Sequence, residues 1–160
     1  MLYIWWVWKG VLYYELLLGN QTIISNKYCS QLDQLKATLN EKHPELVTRK
    51  LIIFHQDNAR PHVSLMIRQK LLQLGWEVLI PPAYLPDTAP SNFRLFWSLP
   101  NYLNGKKADF FPKTLSLEDF KRHLEQFFPQ KDKKFWEEGI MKLPERWQKV
   151  VEQNSAYIVQ

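Results

Sequence analysis

The chain has 160 residues, of which 46% are hydrophobic and 14% aromatic, a composition typical of one globular domain. Its single cysteine, Cys29, excludes an intrachain disulfide and a cysteine-rich zinc site. No apolar run approaches the roughly 20 residues needed to span a bilayer. The net charge of +5 is spread along the chain and gives only a mild preference for polyanions.

The first half of the chain is predicted to contain four strands and two helices. Aromatic, β-branched and leucine-rich runs predict strands at 2–8, 11–18, 50–56 and 76–80. Apolar residues three or four apart predict helices at 26–42 and 61–74. Lys9-Gly10 indicates a hairpin between the first two strands. Pro61 is expected in the first turn of its helix, where a missing N–H costs nothing.

The second half is predicted to be mostly helical. Pro90 is expected to open a helix that carries Asn92 and ends at Pro100. Ser116 and Asp119 match a capping box at the start of a helix. The helices predicted after that point are 117–128, 131–142 and 144–153. This order of elements indicates an α/β domain, with an α/β core over 2–100 and a mostly helical part over 101–160.

A loop with an acidic residue follows the predicted strand at 50–56. Asp57 stands just past the carboxyl end of that strand, a rigid position facing a crevice that suits a metal ligand or catalytic group. Mg²⁺ prefers oxygen ligands, and two such ions about 3.5–4 Å apart assist phosphodiester cleavage. The structural alternative is a turn in which Asp57 and Asn58 cap their own backbone.

The same loop offers further candidates for binding. Arg60 is either a phosphate contact or a solvated loop arginine. His62 is expected to orient the loop from the first turn of its helix. A transition-metal pair formed by His55 and His62 lacks an obvious third ligand.

Two other groups of residues have both a structural and a nucleic-acid interpretation. Trp5, Trp6 and Trp8 are able to stack on bases, but their place in a strand favours the protein core. The lysines of the predicted 131–142 helix favour an exposed, solvated face, with DNA contact as the alternative. These are Lys131, Lys133 and Lys134.

Several ordered motifs resemble the catalytic domain of mariner-family DNA transposases, which belong to the RNase H-like superfamily that includes retroviral integrases. The matching motifs, in chain order, are Trp5-Trp6, Gly10-Val-Leu-Tyr-Tyr-Glu-Leu-Leu17, His55-Gln-Asp-Asn-Ala-Arg-Pro-His62, Tyr84-Leu-Pro-Asp-Thr-Ala-Pro-Ser-Asn92, Leu95-Phe96 and Gly139-Ile-Met-Lys-Leu-Pro-Glu-Arg-Trp147. The resemblance implies an RNase H-like mixed sheet flanked by helices. It also implies a nuclear protein that uses Mg²⁺ or Mn²⁺ to cut and join transposon-end DNA, with a second copy of the chain as partner.

The family uses three carboxylates, and the resemblance assigns two of their positions here. Asp57 corresponds to the second, and the 35 residues that separate it from Asn92 match the family's spacing to the third. Asp is usual at that third position, so Asn92 removes a negative charge and is expected to weaken or abolish metal binding. The family's first Asp and its central strand lie upstream of the segment that matches Met1-Leu2-Tyr3.

Three hypotheses follow from this resemblance. The first is a truncated catalytic domain that does not transpose alone. The second is a repurposed DNA-binding or protein-interaction module, and the third is an inert fragment of a decaying element. Without the central strand, the edges of the strands at 2–8 and 50–56 are expected to pair with each other, to be covered by another chain, or to leave a domain of marginal stability.

Overall fold

A computed structural model describes residues 2–17, 24–48, 52–56, 64–79, 89–104 and 116–152. Four strands lie in these ranges: β1 (Leu2–Val7), β2 (Gly10–Leu16), β3 (Ile53–His55) and β4 (Glu77–Leu79). The α-helices are α1 (Ser25–Lys42), α2 (Pro44–Thr48), α3 (Leu65–Leu74), α4 (Trp97–Asn104), α5 (Leu117–Phe127), α6 (Lys133–Met141) and α7 (Leu143–Glu152). A π-helical segment, Ser91–Phe96, precedes α4. The predicted order of strands and helices is confirmed, except that the short helix α2 between α1 and β3 was not predicted.

The chain divides into two compact units. One contains residues 2–5 and 12–83 and is called here the α/β unit. The other contains residues 6–11 and 84–160 and is called the helical unit. The predicted division near residue 100 stays a prediction.

The described strands form two separate two-stranded sheets, β1 with β2 and β3 with β4. Strands β3 and β4 are parallel, with Phe54 opposite Val78. One of the three outcomes expected for the edges of β1 and β3 was that these two strands pair with each other. In the described residues they do not. The hairpin between β1 and β2 is confirmed, and Gly10 adopts φ 130°, a conformation that side-chain-bearing residues rarely take.

The core of the α/β unit is built on one face of α1. The apolar residues three or four apart from which this helix was predicted are all buried, namely Tyr28, Leu32, Leu35 and Leu39. Trp5 stacks on Tyr13, with ring centroids 5.3 Å apart, and packs at a tilt against Tyr28. The core expectation is therefore confirmed for Trp5, which is half-buried.

The helical unit has a separate apolar core. Its buried side chains come from all of its helices and include Leu95, Leu99, Leu103, Leu124, Phe127, Trp136 and Val150. Ser116 caps α5 as predicted, since its Oγ accepts a hydrogen bond from the Asp119 N–H at 3.1 Å; the same hydroxyl donates to the Asp119 carboxylate at 2.7 Å. Asp132 caps α6 in the same way by accepting from the Phe135 N–H at 2.8 Å. None of the helices in the described ranges is long and apolar enough to cross a membrane.

Three local expectations were wrong. Helix α3 begins at Leu65 rather than 61, because Ser64 has an extended backbone and caps the helix; Pro61 itself lies outside the described residues. Pro100 lies inside α4 and does not end it, since it falls in the first turns after the hydrogen bonding changes from π to α. Trp8 is 36% exposed because it lies in the hairpin turn, beyond the alternation of β1.

Candidate active site

The acidic loop predicted to form the site lies outside the described residues. Asp57, Arg60 and His62 all belong to it, so their roles stay predictions. The strand that leads to the loop is described. Phe54 of β3 is buried and its ring lies 5.4 Å from that of Trp76. Gln56, directly before Asp57, accepts a hydrogen bond from the Tyr28 hydroxyl at 3.2 Å.

Asn92 is described, and its side chain is exposed. It is the second residue of the π-helical segment, and its backbone N–H donates to the Ala89 carbonyl at 3.0 Å. Single π-helical turns occur frequently at functional sites. Residues 91–94 are called the Asn92 turn below.

Each of the other three residues of the Asn92 turn is held by a different element of the helical unit. The Trp6 indole N–H of β1 donates to Ser91 Oγ at 3.0 Å. The Arg146 guanidinium of α7 lies 4.1 Å from the centroid of the Phe93 ring. Arg94 bonds to α6. Asn92 is thus the one exposed residue in a turn whose other members are partly buried and anchored.

Arg94 joins the Asn92 turn to α6 through hydrogen bonds, an ion pair and an aromatic contact. Its Nε donates to the Phe135 carbonyl at 3.0 Å, and one terminal nitrogen donates to Glu138 at 2.9 Å. The guanidinium also lies 4.5 Å from the centroid of the Phe135 ring. Such a partly buried, charge-assisted bond fixes geometry better than a solvated ion pair does. Sequence analysis missed it, because nothing in the sequence pairs residues 94 and 138.

We expected Lys131 to lie on an exposed, solvated face, but it packs against aromatic rings instead. Its ammonium lies 4.5 Å from the centroid of Phe127 and 5.0 Å from that of Phe135. Burial lowers the pKa of this lysine, and the nearby charge of Arg94 lowers it further. Lys133 and Lys134 are exposed as predicted, with ion pairs to Glu137 and Glu138.

A polar cluster in the α/β unit was also missed by sequence analysis. Glu15 of β2 accepts hydrogen bonds from Tyr13 at 3.1 Å and Gln31 at 2.7 Å, and pairs with Lys27. Burial opposes ionisation of Glu15, but these bonds outweigh it and hold its pKa below the ordinary value. Burial, and next the charge of Glu15, raises the pKa of Tyr13 to about 12.

The described residues offer little to a metal ion by themselves. Within the described ranges no three His, Cys, Asp or Glu side chains are grouped as metal ligands would be. Asn92 presents a neutral amide oxygen at the position where the resemblance places a carboxylate. The exposed position of Asn92 suits a metal ligand. Its amide is nevertheless a weak ligand, because it adds no negative charge to balance a dication.

Comparison with known proteins identifies the fold. A family model described as "Transposase (partial DDE domain)" matches residues 1–49. The catalytic domain of Mos1 transposase, solved with raltegravir and Mn, superposes with a TM-score of 0.88 at 40% identity, over 99% of this chain and 76% of that one. A Mos1 paired-end complex with the left transposon end gives a TM-score of 0.86 at 39% identity, over 99% of this chain and 44% of that one.

Two curated relatives match almost the whole chain. The mariner Mos1 transposase of Drosophila mauritiana is 41% identical over 159 residues, which cover 99% of this chain and 44% of the relative. The histone-lysine N-methyltransferase SETMAR of Homo sapiens is 38% identical over 157 residues, which cover 98% of this chain and 22% of the relative. The chain therefore spans less than half the length of these curated relatives.

The fold and these matches define an RNase H-like α/β catalytic domain of the DDE class. Within that class, the ordered motifs and the identity over almost the whole chain are specific to one group. The chain belongs to the mariner family of DNA transposases.

Proposed function

We propose that this chain is a mariner-type catalytic domain that engages DNA but holds divalent metal ions weakly, so that DNA cleavage is lost or severely reduced. The observation that carries the proposal is Asn92. It is exposed within an anchored turn, at the position where the family resemblance places a metal-binding carboxylate. Asp57 is the remaining carboxylate assigned to the site.

Mg²⁺ and Mn²⁺ would be held by Asp57 and Asn92, and when bound they would supply activation of water and stabilisation of the leaving oxygen. A unit charge about 4 Å from a cation is worth roughly 4 kcal/mol for each cationic charge at an effective dielectric constant of 20. An amide at residue 92 forgoes this attraction. If a carboxylate at residue 92 kept even a third of this attraction, it would raise the affinity of the site for the metal ion about tenfold over that of the amide.

Metal use and DNA binding by relatives support the proposal. Mos1 catalytic domain has been solved with Mn and with Mg, and Mos1 also in complexes with transposon ends. By extension, we infer that this chain takes DNA as partner, acts in the nucleus and pairs with a second copy. Arg60 and His62 are its proposed DNA contacts.

Asn92→Asp tests the proposal. We expect the wild-type chain to show no nicking of supercoiled plasmid with Mg²⁺ or Mn²⁺. We expect Asn92→Asp to bind Mn²⁺ about tenfold more tightly by titration calorimetry, because the added carboxylate restores the missing charge. Asn92→Asp combined with Asp57→Ala is expected to lose that gain.

Asn101→Asp is the matched control. Asn101 is exposed on α4, so the same change adds the same charge away from the Asn92 turn and should leave Mn²⁺ affinity unaltered. Plasmid nicking by the wild-type chain that vanishes in Asp57→Ala would overturn the proposal.

A second candidate function is a DNA-binding or protein-interaction module without catalysis. The observation that favours it is the match to SETMAR, in which the related segment makes up 22% of a protein named for a different activity. This module would bind DNA in a salt-sensitive way that needs no metal ion, because phosphate contacts release counterions. The third hypothesis, an inert fragment, predicts neither binding nor cooperative unfolding.

A further inference from the structure

We propose that Trp6 is a positioning residue for Asn92, acting through Ser91. This inference rests on the proposed function, which makes residue 92 a position for a metal ligand. It concerns the helical unit alone, to which Trp6 and the Asn92 turn both belong.

A hydrogen bond links Trp6 to the Asn92 turn. The Trp6 indole is a donor only, and its N–H is directed to Ser91 Oγ at 3.0 Å. Ser91 directly precedes Asn92, so this bond joins β1 to the side chain of the residue next to the one that carries the exposed amide. A partly buried indole N–H that lost this acceptor would carry a desolvation cost.

The Trp6 ring is also packed against α6. A Cβ added to Gly139 of α6 would lie 2.6 Å from Trp6 Cη2, closer than such atoms approach in proteins. The ring also contacts Trp136, with centroids 5.4 Å apart. Gly139 therefore leaves space that the Trp6 ring fills, and this contact fixes where the indole N–H points.

Gly139 also adjoins the other end of the Asn92 turn, at Arg94. The added Cβ would lie 3.3 Å from Arg94 Cγ. Arg94 in turn bonds to Phe135 and Glu138 of α6. Trp6 and Arg94 thus hold residues 91 and 94 against one surface of α6, and Asn92 lies between them. Rigid support of this kind is what places a ligand side chain within a fraction of an ångström.

Amide hydrogen exchange tests the positioning role without any metal ion. The N–H groups of Asn92 and Phe93 both donate to the Ala89 carbonyl, at 3.0 and 3.3 Å. We expect Ser91→Ala and Trp6→Phe to speed exchange at these two amides by about tenfold or more, while the amide of Leu124 in the core of α5 is unaffected. Ser91→Thr keeps the hydroxyl and should restore slow exchange.

Ser98→Ala is the matched control, since Ser98 lies on α4 and its hydroxyl donates to the Leu95 carbonyl at 3.1 Å, away from Trp6. It should leave exchange at residues 92 and 93 unaltered. Uniform acceleration that includes Leu124 would show a purely structural role and overturn the inference. Unchanged exchange in Ser91→Ala would overturn it as well.

A metal titration separates this inference from the proposed function. In the Asn92→Asp background, adding Ser91→Ala is expected to weaken Mn²⁺ binding about tenfold, and adding Ser91→Thr to preserve it. If Asn92→Asp gains no Mn²⁺ affinity but the exchange result holds, the proposed metal site fails and the positioning role of Trp6 stands. If Asn92→Asp gains affinity that Ser91→Ala leaves intact, the positioning role fails alone.

Discussion

At the scale of single residues, the environment of Asn92 is set by contacts that come from distant parts of the sequence. Trp6, Arg94 and Gly139 meet beside the turn, and the free energy of their packing depends on a close approach at one glycine. Sequence analysis placed Trp6 in the core, and its half-buried contacts with Trp136 and Gly139 agree. It did not find the bond from Trp6 to Ser91, because a hydrogen bond between residues 85 positions apart leaves no local pattern.

Gly139→Ala measures how tightly this packing is made. The added methyl group overpacks the site against Trp6, at a cost of about 1–3 kcal/mol. Ala gains back about 1 kcal/mol through its higher helix propensity. We expect a net fall in the free energy of unfolding, measured by urea denaturation.

The same substitution in a Trp6→Phe background is the control. Phe lacks the outer ring atoms that a Cβ at residue 139 would meet, so Gly139→Ala should there be neutral or stabilising. A stabilising effect of Gly139→Ala in the wild-type background would show that the contact with Trp6 is loose.

At the scale of elements, hydrophobic periodicity predicted α1 well because one face of that helix is buried over its whole length. The ends of elements were predicted less well. Ser64, not Pro61, determines where α3 begins, since its side chain caps the helix. Charge also stabilises the contact between two elements. Glu15 of β2 accepts a hydrogen bond from Gln31 of α1 and forms an ion pair with Lys27 of the same helix.

Glu15→Gln tests this link between strand and helix. The folded protein holds the pKa of Glu15 below its ordinary value of 4.5, so its carboxylate stabilises the fold above that pH. This contribution is lost as the pH falls through the lower, folded pKa. We expect Glu15→Gln to reduce the free energy of unfolding by about 1–3 kcal/mol at neutral pH.

The difference between wild type and Glu15→Gln should shrink as the pH falls from about 4.5 through the lower, folded pKa of Glu15, because below that folded pKa both proteins carry a neutral group at residue 15. Urea denaturation at a series of pH values measures it. Glu41→Gln, an exposed carboxylate on α1, is the control and should change stability by less than about 0.5 kcal/mol. A difference that is independent of pH would refute the electrostatic explanation.

At the scale of the whole molecule, the balance of charge favours binding to nucleic acid without specifying a surface. The net charge is +5, yet the three lysines of α6 and α7, and Lys142 between the two helices, are each paired with a carboxylate one turn away. Such exposed pairs contribute little to stability and reduce the field that attracts DNA. Binding is therefore expected to be moderate and to weaken with salt.

DNA binding as a function of salt tests this expectation. We expect the dissociation constant for a duplex to rise about tenfold or more between roughly 50 and 200 mM salt, which corresponds to two or three phosphate contacts. Fluorescence anisotropy measures it, and chelation of divalent ions should leave the affinity of the wild-type chain unaltered. Asp57→Ala is the control and should bind equally well. Affinity that requires Mn²⁺ would contradict a metal-independent mode of binding.

The sequence by itself determined the order of the strands and of all helices but α2, the inward face of α1, the N-cap at Ser116 and membership of the mariner family. These features depend on periodicity, local hydrogen bonds and ordered motifs, all of which are local in the chain. Only the tertiary structure showed that Trp6, Phe135, Glu138 and Arg146 surround the Asn92 turn, and that Lys131 packs between aromatic rings. These contacts join residues far apart in sequence, and their energies depend on distances that only the folded chain fixes.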